Sequence, residues 1–303
     1  MNDEDDKTTT PAGEHGDGPL TIGELGALSG GGPLTPGGLI DQVKAALKEA
    51  YPVEDRMAVL FKELSPWSGL GETLDRIARH AETHVEKALP GNWSGLSGRY
   101  EEMIPVMKEE GIPLAWVPPS HIVRELLDAP DAQVRRTILE AHHQAVWTAC
   151  REALDEVERP EFAEQVSMLR ACLDMAEDGH PCGAQALAAS VWDTTVRGLI
   201  RATPSLQSNP KWFQYKDLTG LPKAEEEQTV RRFRVASLFA PFEKACQRFT
   251  WTTSVPASFS RHATAHATGP TQYTLVNATI AVMLAVSLLR GLEADPIEVA
   301  IHA

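Results

Sequence analysis

The sequence predicts an all-α protein: an antiparallel helical bundle preceded by an N-terminal helical extension and a disordered tail. Three observations carry this expectation. Apolar residues recur at three- and four-residue spacing in one segment after another, the period of a helix with one buried face. Ala, Leu, Glu and Arg, which favour helix, fill those segments. Aromatic and β-branched residues do not gather in the alternating runs that strands need. At 303 residues and 43% hydrophobic content, the chain can bury a sizeable core.

Residues 1–37 are acidic and rich in Gly, Thr and Pro, a composition that cannot bury enough apolar surface to offset the entropy of ordering, so a disordered tail is expected. Residues 38–112 read as a helical N-terminal section. Ile40, Val43 and Leu47 start it at helical spacing, Pro52 ends that run, and further helices fit 54–63, 71–89 and 98–110. His80 and His84 lie one turn apart, a spacing that can bring two imidazoles to one metal, but no third ligand accompanies them, and an exposed pair is expected. The run Gly111 to Pro119 is apolar and proline-locked, which suits a buried connector, and a soft domain boundary is placed at 112/113.

The remainder, 113–303, reads as the bundle. A short helix over 121–127 leads to Asp131, an N-cap for one long helix over 132–158 that Pro160 ends. His142 and His143, adjacent in that helix, point about 100° apart and cannot share a task. Helices over 161–177 and 183–202 follow, separated by Gly179-His180-Pro181. A Pro- and Gly-punctuated excursion over 204–222 carries Lys211, Trp212, Phe213, Tyr215 and Lys216, aromatics interleaved with lysines that could stack on bases, although a loop packing its aromatics onto the bundle is the stronger expectation. Helix resumes over 223–249 with Arg231, Arg232 and Arg234, broken near Pro241. The last helix spans 271–292. Its apolar run, 278–289, falls short of the roughly 20 residues of a membrane span and reads as buried.

The net charge of -14 argues against a general nucleic-acid coat. Its distribution is uneven: residues 1–38 hold one basic and seven acidic side chains, 39–192 hold 15 and 26, and 193–261 hold 11 and six. The net-positive section therefore ends at Arg261. The start is acidic and lacks the apolar core of a secretory signal, so a cytoplasmic protein without membrane attachment is expected. Cys150, Cys172, Cys182 and Cys246 form no CxxC pair and read as reduced thiols. No GxGxxG, P-loop, GxSxG or HExxH is present, which removes the commonest nucleotide, serine-hydrolase and metalloprotease signatures.

One stretch stands out. Phe259-Ser260-Arg261-His262-Ala263-Thr264-Ala265-His266 puts an arginine and two histidines just ahead of a nearly all-apolar helix. Histidine can move a proton near neutral pH, which suits cleavage of RNA by its own 2′-hydroxyl, and His266 is the candidate. A planar guanidinium can hold two phosphoryl oxygens, so Arg261 would position and stabilise the scissile phosphate. No metal or other cofactor is needed. On an ideal helix Arg261 and His266 stand roughly 140° apart, whereas His262 and His266 share a face. The pair therefore either sits in an irregular turn or lines opposite walls of a groove.

Arg261, four residues and His266, with a polar residue directly after the arginine, resemble the Arg-x4-6-His signature of the HEPN superfamily, helical-bundle domains of which many are metal-independent endoribonucleases in toxin–antitoxin and phage-defence systems. The resemblance covers the motif, its place before the last long helix and about 170 residues from Leu114. It implies catalytic positions for Arg261 and His266, with His262 in the polar position between them. It also implies an RNA substrate, a homodimer that pairs two motifs across a composite cleft, and an antitoxin or regulatory partner. Arg231, Arg232, Arg234, Lys211 and Lys216 would then contact RNA, and residues 39–112 would sense or restrain. The alternative is a non-catalytic helical module that binds RNA, a nucleotide or a partner protein through the same groove.

Overall fold

The computed structural model describes residues 89–96, 98–203, 206, 223–224 and 230–294, and among them the protein is helical with no strand. The tail expected over 1–37, the helices expected between 39 and 88, the His80–His84 pair and the loop with Lys211 and Lys216 lie outside the described residues.

A 3₁₀ turn at Gly91–Trp93 precedes α1 (Tyr100–Glu110), α2 (Ser120–Asp128), α3 (Ala132–Ala141) and α4 (His143–Asp155). Then come α5 (Ala163–Glu177), α6 (Pro181–Ala202), α7 (Val230–Phe239), α8 (Phe242–Ala245), α9 (Arg261–His266) and α10 (Leu275–Ala294). Local chemistry sets the boundaries. Asp131 caps α3 by accepting the Val134 N–H at 2.9 Å, as its sequence position predicts. Gly111 and Gly179 end α1 and α5 with φ of 74° and 84°, a left-handed turn that glycine enters without a Cβ penalty.

Helix α10 is the axis of the molecule. Every residue from Val276 to Leu289 is buried, so the helix has no polar face and must be covered on all sides. Helices α6, α4, α3, α5 and α7 supply that cover. Each large apolar side chain removed from water along it contributes about 1.5–3 kcal/mol, which outweighs the 0–1 kcal/mol typical of an exposed ion pair. By length and composition alone α10 could cross a membrane, but 89% of its most apolar stretch is buried inside the protein. It extends beyond the apolar run at both ends, and the polar residues inside that run find partners. Thr279 donates to the Leu275 carbonyl at 2.9 Å and Ser287 to the Ala115 carbonyl at 2.7 Å.

Ion pairs show the helix directions. Arg151 meets Asp174 and Glu177 while Arg170 meets Asp155, so α5 runs against α4. The three-residue link at Gly179 turns α6 back against α5. Arg136 reaches Asn277 at one end, and Glu156 pairs with Arg290 at the other, so the α3–α4 arm runs along α10 in the same sense. The antiparallel pattern expected from the sequence therefore holds for α4, α5 and α6. The long connection after α6 brings α10 back alongside α6 pointing the same way.

The helix expected over 132–158 is two helices. The His143 ring nitrogen bonds the Glu140 carbonyl at 2.7 Å and competes for that acceptor, while His142 leaves helical geometry and pairs with Glu125 at 3.1 Å. The boundary expected at 112/113 is not a break in the core. Ile112, Leu114, Ala115 and Val117 are buried in one cluster that extends from Leu89 to Leu292. The connector's backbone is satisfied by side chains: Asn92 donates to the Leu114 and Pro118 carbonyls, and the Trp93 indole donates to Leu114 at 2.6 Å.

Gly291 is where α7 meets the late part of α10, and a Cβ there would collide with the Leu238 side chain. Gly291→Ala should therefore destabilise the protein by about 1–3 kcal/mol despite alanine's better helix propensity. In a Leu238→Ala background the same substitution should cost nothing. Urea unfolding of the four variants measures this, and an unchanged midpoint for Gly291→Ala would refute the close packing.

Candidate functional site

Residues 246–274 cross the early ends of α6 and α10 as irregular chain with the six-residue α9 in its middle. Ser260 starts α9 by accepting the Ala263 N–H at 3.2 Å, and its own hydroxyl donates to the Gln247 carbonyl at 3.0 Å. Buried irregular backbone needs partners, and Gln272 provides most of them. Its fully buried amide donates to the carbonyls of Pro256 (2.8 Å) and Ser258 (3.0 Å) and accepts from the Ser260 N–H (3.0 Å) and the Thr264 hydroxyl (3.2 Å). The Gln272 carbonyl accepts from Gln185 on α6 at 3.1 Å and from Asn277 on α10 at 2.7 Å. Tyr273 donates to the Thr264 carbonyl at 2.6 Å, and Arg136 donates to the Ala257 carbonyl at 3.2 Å. The motif helix is thus bolted to both bundle helices through neutral amides.

Arg261 points to α6. Its guanidinium meets Asp193 at 2.8 Å, and the same carboxylate oxygen accepts from Arg197 one turn further on at 2.8 Å. Asp193 is buried and Arg261 is one-quarter exposed, so the pair lies at the edge of the core. Beside it, burial and the Asp193 charge push the Cys246 thiol well above its usual range, with Arg261 opposing. Burial likewise pushes the Cys172 thiol up to about 12 and the Cys150 thiol higher still. These cysteines remain protonated and are poor nucleophiles.

His262 and His266 share a face of α9, with ring centroids 4.6 Å apart and planes tilted by 49°. His266 is exposed; His262 is half-buried, with Nδ1 enclosed and without a hydrogen-bond partner. Desolvation, then the neighbouring His266, Arg248 and Arg261, lower the His262 pKa below its usual value. The ring is therefore neutral near pH 7, and Nε2 is the nitrogen left to exchange a proton. A neutral imidazole beside a solvent-facing one, flanked by two arginines, can remove one proton and return another next to an anion.

Arg261, His262 and His266 thus lie on a helix of their own rather than in an irregular turn, and Arg261 turns away toward α6 while the two histidine rings lie against each other. Of the arginines expected to contact RNA, Arg232 is exposed and Arg234 half-buried on α7, and Arg231 is in the first turn of the same helix. Phe233 between them joins a ring cluster with Trp93 and Tyr100. Leu238 of α7 lies against Gly291, whereas Ala257 meets Asn277 about 21 Å earlier on α10 at 1.5 Å per residue. Sequence reasoning missed Asp193, Arg248, Gln185, Gln272, Asn277 and Arg136. Three polar residues held a detectable signal: Asp193 and Arg197 are oppositely charged and spaced i,i+4 on one helix, and Asn277 opens the most apolar stretch in the chain.

Gln272→Ala would leave the buried Ser260 N–H and the half-buried Pro256 and Ser258 carbonyls without their partner, at a cost on the order of 2–3 kcal/mol. Gln272→Glu should be as harmful, because a carboxylate cannot donate to those two carbonyls. Chemical denaturation of both variants checks this; a wild-type midpoint for either would show that Gln272 does not hold the segment.

Among the described residues no group of three or more His, Cys, Asp or Glu side chains could hold a metal ion. Compared with protein-family models, curated proteins and solved structures, the chain matches none of them.

Proposed function

We propose that the α9 face is the active site of a metal-independent endoribonuclease of the HEPN type, a toxin or antiphage effector that works as a homodimer. The observation that carries this is the close, tilted His262–His266 pair, one ring neutral and half-buried, the other exposed, with Arg248 and Arg261 close enough to act on His262. Neutral His262 takes the proton of the RNA 2′-hydroxyl through Nε2. The 2′-oxygen attacks the adjacent phosphorus, a P–O2′ bond forms, and the P–O5′ bond breaks. His266 gives a proton to the departing 5′-oxygen, leaving a 2′,3′-cyclic phosphate and a 5′-hydroxyl. General acid–base help of this kind is worth about 10²- to 10⁴-fold. Arg248 and Arg261 place positive charge where the phosphoryl oxygens gain negative charge.

The 2.8 Å contact of Arg261 with Asp193 favours a second function, a non-catalytic module that binds RNA, a nucleotide or a partner protein. A guanidinium held by a buried carboxylate orients α9 and offers a phosphate only its remaining donors.

Incubation of the full chain with mixed RNA in EDTA separates the two. Cleavage that falls at least about 100-fold in His266→Ala and His262→Ala is the expected outcome. Because a general base must be neutral, cleavage should weaken as pH falls below about 6.5, through the lowered pKa of His262, and this acid limb should vanish with His262→Asn. Equal cleavage by His266→Ala, or intact RNA with the wild type across conditions that still allow salt-dependent binding, would leave the binding module.

A further inference from the structure

Trp251 is 81% exposed, whereas Trp93 and Trp192 are each only 1% exposed. A tryptophan left this far in water contributes little burial to the fold, yet it sits on a closed turn. The turn that carries it is closed by hydrogen bonds: the Thr253 N–H and hydroxyl both reach the Thr250 carbonyl at 2.9 Å, and the Thr250 and Thr252 hydroxyls lie 3.0 Å apart. The Trp251 ring also stands edge-on to Phe249, with centroids 5.4 Å apart. Phe249 is itself buried and packs on Ala263 and Ala267, the face of α9 next to the one that bears His262 and His266.

The chain Trp251–Phe249–Ala263 therefore mounts an open indole face on the helix that holds the two histidines. Exposed Arg248 lies at the root of the same turn, directly before Phe249, and it acts electrostatically on His262. An open aromatic surface next to guanidinium and imidazole groups matches a ligand that alternates a flat, π-rich ring with a negative charge. A single-stranded nucleic acid has that alternation, and its unpaired bases are free to stack. A duplex hides its base faces and does not fit.

We propose that Trp251 is a base-stacking residue, which holds a nucleobase of single-stranded RNA beside the phosphate that meets α9. This rests on the α9 face being an RNA site, but not on that site being catalytic. Trp251 touches substrate without taking part in proton transfer, so it sets where along the strand the phosphate is presented.

The test is fluorescence anisotropy of a labelled 2′-O-methylated oligouridylate, which cannot be cleaved by its own 2′-hydroxyl, with inorganic polyphosphate as a base-free polyanion in competition. Trp251→Ala should weaken oligouridylate binding about tenfold, within the range that loss of one base–aromatic stack produces, and leave polyphosphate binding unchanged. Trp251→Phe should keep most of the affinity. Since the side chain is exposed, both variants should melt as the wild type does. Equal oligouridylate binding by wild type and Trp251→Ala overturns the stacking role, as does an equal loss for both polyanions. Failure of the wild type to bind oligouridylate removes the RNA site itself. The expected binding pattern together with no RNA cleavage upholds the stack and removes only the nuclease step.

Discussion

Enclosure of α10 is the constraint on which the rest of the structure depends. A helix with no polar side cannot stand at a surface, so α3 to α7 are arranged to cover it, and the order of the bundle follows from that need. The ends are the difficult places, because there the cover runs out and charged chain begins. At the late end Arg290 lies 4.4 Å over the Trp116 ring and pairs with Glu156, while Arg159 bonds the Glu293 carboxylate through its backbone N–H at 3.1 Å. At the early end no long helix is available. Residues 256–274 close the gap instead, and they do so with irregular backbone.

That substitution explains why neutral amides, not ion pairs, dominate the early end. Irregular chain under cover presents N–H and carbonyl groups at uneven spacing, and an unpaired group there costs about 1–3 kcal/mol. Glutamine and asparagine carry donor and acceptor on one planar head, so Gln272 and Asn277 can serve two strands of chain at once without burying a net charge. A lysine or glutamate in either place would add a desolvation cost that these bonds could not offset. One consequence is functional: α9 is fixed to the bundle by the same amides, so the orientation of His262 and His266 is set by the packing of α6 and α10.

The helical class, the N-cap at Asp131, the break at Gly179 and the burial of the last helix were legible in the sequence, because each rests on a local pattern of period, cap or glycine. The position of His142 was not. Its helix breaks through a single side-chain bond from His143 to the Glu140 carbonyl, and periodicity is blind to that. The motif was legible as a cluster of costly polar groups, since Arg261, His262 and His266 are unusual so close to an apolar helix. Its geometry was only half legible: the shared face of the two histidines follows from helical spacing, but the turn of Arg261 toward Asp193 depends on a residue 68 positions away. Arg248 and Trp251 were hidden for the same reason, because their relation to α9 runs through Phe249 packing on Ala263 and Ala267.

Under the proposed function, long-range charge cannot be what brings RNA to this face. The chain carries -14 overall, and at physiological salt the Debye length is about 8 Å, so an approaching strand feels mainly the groups within a turn or two of α9. Among the described residues these include Arg248 and Arg261, and the second shares the Asp193 carboxylate with Arg197. Two partial phosphate contacts release few counterions, which gives a shallow salt dependence and weak affinity from charge alone. A ligand that stays must therefore gain its remaining free energy from a contact that salt does not screen. Among the described residues the open face of Trp251 can provide one, and under the proposed function the site therefore favours an unpaired base next to a phosphate over a polyanion of any kind.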